Sequence, residues 1–239
     1  MQITVKLIKD KITLPIASCE TIQGLIYKAL SEDPLYSESV HEKGKRFDGR
    51  KFKLFTFADL KGKYETGDGV IMYSSEVVLT VRSSDSYIIQ LLFLYFNKNE
   101  YVRLGNNSVA VGEVRLEDTH IFENRVTVRT LSPITVYRTE ANGHTVYFSP
   151  DDGHFCDAIV SNARRKWASR FGSDEGFSLR VTTCEGARYI KRATRFKTTF
   201  ITAWHGRFVL EGTPQVIDFL YQTGLGSKNS QGFGMFEIV

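Results

Sequence analysis

The chain has 239 residues, of which 42% are hydrophobic and 24% charged, and its formal net charge is +4. This is the composition of a globular chain and excludes a disordered one. No run approaches the roughly 18 apolar residues of a membrane span, the longest candidate being Tyr87 to Phe96 at about half that length. Three scattered cysteines, Cys19, Cys156 and Cys184, exclude a disulfide framework and CxxC zinc spacing. Met1 to Lys11 alternates apolar and polar residues and carries three lysines, which is not the pattern of a signal peptide. The expected compartment is the cytoplasm, with no membrane partner.

At about 150 residues per domain, the length allows one to two domains. Gln2 to Ile8 alternates and reads as a strand. A helix is predicted over about Glu20 to Ser31, where Ile22, Leu25, Ile26, Ala29 and Leu30 form one stripe. Strands follow near Phe52–Phe57, Val70–Tyr73 and Val77–Arg82. A helix over about Asp85 to Phe96 starts at an acidic cap, and a strand near Ser108 to Leu116 ends the half.

The second half repeats this order. Arg125 to Thr130 reads as a strand that extends past Ser132-Pro133 into Ile134–Tyr137. Helix Phe155 to Phe171 puts Phe155, Ile159, Ala163, Trp167 and Phe171 on one face. Phe177–Thr183 and Arg195–Trp204 read as strands, with Arg207–Leu210 placed to pair with the latter. Pro214 starts a helix in its first turn, and Phe233 to Val239 is the closing strand. Two βαββαβ units predict an α+β chain of tandem ferredoxin-like domains, residues 1–122 and 123–239.

The net charge hides an asymmetry. Residues 1–124 hold 16 basic and 17 acidic residues, whereas residues 125–239 hold 15 and 10. Basic residues cluster from His41 to Lys63, at Arg164-Arg165-Lys166 with Arg170, and from Arg188 to Lys197, where Lys191, Arg192, Arg195 and Lys197 interleave with Phe196. A merely solvated helix face mixes signs, so the Arg164–Arg170 cluster is read as a polyanion surface. Basic and aromatic residues on ferredoxin-like sheets suit single-stranded or hairpin RNA.

Three further features carry chemistry. Gly224 to Gly234 holds four glycines in two GxG pairs before the last strand, a loop able to approach phosphates through its backbone or simply to turn tightly. Tyr27 lies roughly 130° from the centre of its helix's apolar stripe, so its hydroxyl should meet a cleft or solvent. Asp33-Pro34 reads as a cap and first-turn proline of a short helix ending near Gly44, with His41 in its last turn. Lys43, Lys45 and Arg46 around His41 favour the neutral imidazole that can act as a base, while a helix C-terminus pushes the other way. No HExxH or similar spacing predicts a metal site.

Together these segments resemble the CRISPR repeat-processing endoribonucleases, the sixth Cas family. The glycine spacing of Gly224–Gly234 is the most specific mark. Thr130-Leu131-Ser132-Pro133-Ile134 and Thr202-Ala203-Trp204-His205 are similar to family segments. Gln23-Gly24-Leu25-Ile26-Tyr27, Val40-His41-Glu42 and Lys53-Leu54-Phe55-Thr56 are similar to members that use a tyrosine, a histidine and a lysine together.

The resemblance implies cleavage of CRISPR repeat RNA without a metal or cofactor. The 2′-hydroxyl attacks, leaving a 2′,3′-cyclic phosphate and a 5′-hydroxyl. His41 would be the general base, Lys53 would stabilise the transition state, and Tyr27 would orient the phosphate or help protonate the leaving oxygen. Lys51 or Lys45 could fill the lysine role instead. RNA binding is expected at Arg164, Arg165, Lys166, Arg170, Lys191, Arg192, Arg195 and Lys197, and along the loop at Gly224, Gly226, Lys228, Asn229, Gly232 and Gly234. The competing reading is a binding subunit that holds repeat RNA without turnover, as a homodimer or beside other subunits of an interference complex.

Overall fold

The computed structural model describes residues 1–38 and 45–239, with Lys45 and Arg46 described by their backbone alone. The first half runs β1 (Gln2–Ile8), β2 (Ile12–Pro15), α1 (Cys19–Leu30), α2 (Pro34–Glu38), β3 (Lys45–Phe47), β4 (Arg50–Phe52), β5 (Phe55–Phe57), β6 (Tyr64–Gly67), β7 (Val70–Tyr73), β8 (Glu76–Ser83), α3 (Ser86–Lys98), β9 (Tyr101–Leu104) and β10 (Asn107–Glu117). The second runs β11 (Arg125–Thr130), β12 (Tyr137–Thr139), β13 (Thr145–Tyr147), α4 (His154–Phe171), β14 (Leu179–Thr183), β15 (Ile190–Phe196), β16 (Thr199–His205), β17 (Arg207–Gly212), α5 (Pro214–Thr223) and β18 (Phe236–Ile238).

The first half's main sheet has the order β5-β8-β1-β10-β9. Reduced to the strands that alternate with α1 and α3, it is the 2-3-1-4 order of a ferredoxin-like βαββαβ unit. The second half gives the same order in β14-β17-β11-β18, with α4 and α5 as its helices. The fold is therefore α+β, with two ferredoxin-like units in tandem. Each unit has its own core: Ile3, Val5, Ile26, Leu79 and Phe96 sit in the first, and Val128, Phe155, Ile159, Phe208 and Ile217 in the second.

The helices follow their apolar stripes. In α1, Ile22, Leu25, Ile26, Ala29 and Leu30 are all buried. Asp85 caps α3 by accepting a hydrogen bond from the backbone N–H of Tyr87 at 3.1 Å. Asp33 accepts from the N–H of Tyr36 at 3.0 Å and opens α2 behind Pro34. The expected last turn of that helix, with His41 and Gly44, lies outside the described residues.

Several strands differ from the sequence reading. Arg195–Trp204 is not one strand but the hairpin β15–β16, in which Phe196 pairs with Thr199 across a two-residue turn. Lys197 takes a φ of 53° there, and no glycine, asparagine or proline advertises the turn. Arg207–Leu210 pairs with β11 and β14 rather than with β16. β11 does not continue to Tyr137. Beyond Pro133, which has no N–H to give a ladder, Ile134 bridges Trp204 and Tyr137 joins a small hairpin with β13. Val70–Tyr73 sits in a separate three-stranded sheet with β2 and β6.

The units meet along an interface built from both. Cys19 packs with Phe196, Ile201, Ala203 and Phe233. The Thr56 hydroxyl donates to the carbonyl of Phe233 at 3.1 Å and that of Ser132 to the carbonyl of Phe57 at 3.0 Å. Arg82, nearly fully buried, reaches across to the carbonyl of Phe236. Arg192 on β15 pairs with Asp59 at 2.5 Å, and His205 lies 3.5 Å from the same carboxylate.

Candidate RNA-processing cleft

A cleft of about 730 Å³ opens where the two units meet. Gln23 of α1 and Arg50 to Lys53 line it from the first unit. Tyr137, Asn162, Lys166, the β15–β16 turn and residues Gly226 to Gln231 line it from the second. Its described lining includes Arg50, Lys51, Lys53, Lys197 and Lys228 and no carboxylate, which makes it a site for a polyanion.

Lys53 follows β4 on the first wall. Its Nζ donates to the Tyr27 hydroxyl at 2.8 Å and lies 5.0 Å from that ring's centroid. Tyr27 leaves the buried stripe of α1, as its helical position predicts, but its ring is half-buried and meets Phe55 edge-on at 6.2 Å. Burial raises the pKa of Tyr27, so the phenol keeps its proton at neutral pH. Burial first, then the like charges of Lys51 and Lys197, hold Lys53 below the usual lysine range. Lys51 also lines the cleft. His41, and the Lys45 side chain, lie outside the described residues.

The second wall is held more tightly. Gly224, Gly226, Gly232 and Gly234 all have positive φ, and a Cβ on Gly234 would collide with the carbonyl oxygen of Leu225. A Cβ on Gly232 would come within 2.6 Å of the Phe57 ring, so this glycine lets the loop sit against the first unit. Asn229 is buried and donates through Nδ2 to the carbonyls of Leu225 at 2.9 Å and Phe233 at 3.0 Å. Gln23 of α1 donates to the carbonyl of Ser230 at 2.5 Å, and Asn162 donates to the Ser227 hydroxyl at 3.2 Å. Lys228 lies over the Tyr137 ring at 5.2 Å, and burial lowers its pKa.

Not every expected RNA contact faces outward. Lys166 is 1% exposed. Its Nζ donates to the carbonyls of Gly224 at 2.6 Å and Thr223 at 3.3 Å and to Oδ1 of Asn229 at 2.7 Å. Reading it as a surface cation is corrected: Lys166 is i+7 from Ile159 and i+3 from Ala163, on the core side of α4. Burial pulls its pKa down to about 7. Asn229 is likewise an internal strut, and Arg192 is committed to Asp59. Arg164 pairs with Asp174 at 3.0 Å and stacks over Phe177, whereas Arg165 lies 3.4 Å from Asp48 of the first unit. Arg170 is exposed beside Phe171, and Lys191, Arg195 and Lys197 are exposed on the β15–β16 hairpin.

Sequence reasoning missed Asn162 and Tyr137 as cleft residues. Asn162 had a usable signal: it precedes Lys166 by four residues, so both polar groups share a line on the helix. Among the described residues, no three of His, Cys, Asp and Glu converge as a metal-ligand set, and no helix is long and apolar enough to cross a membrane.

The family profile described as CRISPR associated protein Cas6, C-terminal, matches residues 116–238. The chain belongs to the Cas6 family. It is 24% identical to CRISPR-associated endoribonuclease Cas6 1 of Methanocaldococcus jannaschii, over 98% of this chain and 91% of that one. Among solved structures, a Cas6-related gene product from Pyrococcus furiosus superposes with a TM-score of 0.86 at 21% identity, covering 100% of this chain and 98% of that one. A structure titled as a RAMP protein binding different RNA substrates gives 0.83 at 21% identity, covering 100% and 99%. Both neighbours share the tandem fold over essentially the whole of this chain.

Proposed function

We propose that this Cas6 protein is a metal-independent endoribonuclease that cuts CRISPR repeat RNA in the precursor transcript. The observation that carries the reading is the Lys53–Tyr27 pair, 2.8 Å apart, at the wall of a cleft lined by cations. The endoribonuclease name of the Methanocaldococcus relative supports it. The repeat backbone lies along the cleft, and the 2′-hydroxyl beside the scissile phosphate attacks the phosphorus. His41 takes the proton from that hydroxyl. Lys53 faces the charge that gathers on the non-bridging oxygens, and Tyr27, still protonated, orients Lys53 and the phosphate or supplies a proton to the leaving 5′-oxygen. The products are a 2′,3′-cyclic phosphate and a 5′-hydroxyl.

General acid–base catalysis supplies about 10²–10⁴-fold and one charge-stabilising donor about 10²–10³-fold, enough for this chemistry without a metal. The first unit cuts and the second holds the RNA, through the loop 226–231, Lys197 and the exposed cations of α4 and β15. A transcript made in the cytoplasm is the natural substrate for such a site.

The test is cleavage of a synthetic repeat RNA in excess EDTA. One cut should appear, and a deoxyribose just 5′ of it should abolish it. H41A should lose most cleavage and keep binding. Full activity of H41A would remove His41 from the mechanism, and cleavage that stops in EDTA would remove the metal-independent route.

A further inference from the structure

Lys166 is a fully buried lysine with no carboxylate among the groups its Nζ contacts. Its three acceptors match the three N–H bonds of the ammonium form, and the neutral amine that burial favours above a pH of about 7 still donates two of them. Two are the carbonyls of Thr223 and Gly224, at the end of α5, where the last carbonyls have no donor within the helix and carry the negative end of its dipole. The third is Oδ1 of Asn229, at the centre of the glycine loop. One nitrogen therefore ties the end of α5 to the middle of the loop.

Asn229 carries the tie onward. Its Nδ2 closes the neck of the loop by bonding Leu225 on one limb and Phe233 on the other. The two outer glycines make room for that amide: a Cβ on either Gly224 or Gly234 would lie 2.7 Å from Asn229 Nδ2. The glycine spacing is thus the imprint of an internal side chain held in place by Lys166. Ser227, Lys228, Ser230 and Gln231, which face the cleft, ride on this framework.

We propose that Lys166 is the positioning residue of the RNA-binding loop, fixing the conformation in which residues 227–231 meet the RNA without touching the RNA itself. This rests on the reading that the loop is an RNA contact. Lys166→Met keeps the length and removes the donor. It should raise the Kd for a synthetic repeat RNA at least tenfold while single-turnover cleavage at saturating RNA stays within threefold of wild type. Hydrogen exchange of the loop amides that are bonded in the native state (Leu225, Ser227, Gly232 and Gly234) should accelerate, while the β1–β8 ladder keeps its protection.

Should K166M fail to fold, Lys166→Gln, which retains an N–H donor, gives the same split at smaller size. Loop amides as protected as in wild type would overturn the tie. Loop amides that open while the Kd stays unchanged would instead overturn the loop's role in RNA binding. A fall in the rate at saturating RNA with Kd unchanged would overturn the positioning role.

Discussion

The two walls of the cleft are built on opposite terms. On the first wall, Lys53 is half-buried, next to other cations, and its Nζ ends on a phenol. On the second wall, Lys166 is sealed from solvent and spends its hydrogen bonds on two carbonyls and an amide. Both lysines are held below their usual pKa by burial, yet only the first can reach a phosphate. The same residue type serves charge on one side and geometry on the other, and the difference is set by the helix or loop position that carries it.

Removing the cleft-facing member of this contrast should have the largest effect. Lys53→Met takes away the cation opposite the developing oxyanion and should lower the cleavage rate at saturating RNA by about 10²–10³-fold, as loss of one such donor does elsewhere. Lys51→Met, on the same wall, should cost less than tenfold if Lys53 holds the role. Single-turnover kinetics on the two variants decide it: equal losses would reassign the lysine.

The next comparison sets two left-handed glycines against each other. Gly234 has a φ of 78° and no room for a Cβ against Leu225, whereas Gly172 has a φ of 87° after α4 and nothing within 4 Å of where its Cβ would be. Gly172→Ala should cost about 1–2 kcal/mol, the price of the backbone conformation alone. Gly234→Ala must also displace the backbone and should cost at least about 3 kcal/mol by denaturant unfolding. Equal losses would show that the loop relaxes around the added methyl and is less rigid than its hydrogen bonds imply.

These contrasts also show what the sequence could reveal. The stripe of α1, the cap of α3 and Pro214 in the first turn of α5 were legible because each is a local rule that its own few residues satisfy. Tyr27 was legible for the same reason, by falling off a stripe. The β15–β16 hairpin was not, because its turn at Lys197 and Thr198 uses residues with no turn preference and is enforced by the pairing on either side. Lys166 was misread because residue type outweighed position. A lysine directly after two arginines looks solvated, although the helical period from Ile159 and Ala163 already turns it inward. The glycines were seen, but Asn229 was read as an RNA contact and not as their internal partner, since the lysine that holds it lies on a helix over 60 residues away. As for His41, the sequence names it, and the described residues begin again only after it.

Titration separates the buried lysine from the exposed cations. The folded pKa of Lys166, about 7, lies below the value near 10.4 of an unfolded lysine. Between those values the unfolded chain binds one proton more at this site than the folded one, so this lysine makes stability rise with pH. It adds a slope of up to about 1.4 kcal/mol per pH unit across pH 7.5 to 9.5. K166M removes that share, so wild type should gain on the variant through this window. Lys53 and Lys228 contribute in the same direction in both proteins and cancel in the comparison. Parallel curves from urea titrations would mean that Lys166 keeps its proton through the window, held by its three acceptors against the cost of burial.

The smallest effect belongs to the arginines of α4. Arg164 already holds Asp174 at 3.0 Å and covers the Phe177 ring at 4.9 Å. A phosphate that recruits Arg164 must compete with that carboxylate, so its net gain is modest. Arg170 faces no such competition among its described contacts, since its guanidinium lies over the Phe171 ring. If each meets one phosphate of single-stranded RNA, each alanine variant should reduce the slope of log affinity against log salt by about 0.7. The affinity itself should fall further for Arg170→Ala than for Arg164→Ala, because Arg164 must give up Asp174 to meet the RNA and so contributes less net binding. Filter binding of repeat RNA over a range of potassium chloride measures both quantities. A slope unchanged in Arg170→Ala would take this end of α4 out of the RNA path and leave the second wall's electrostatics to Lys197 and Lys228.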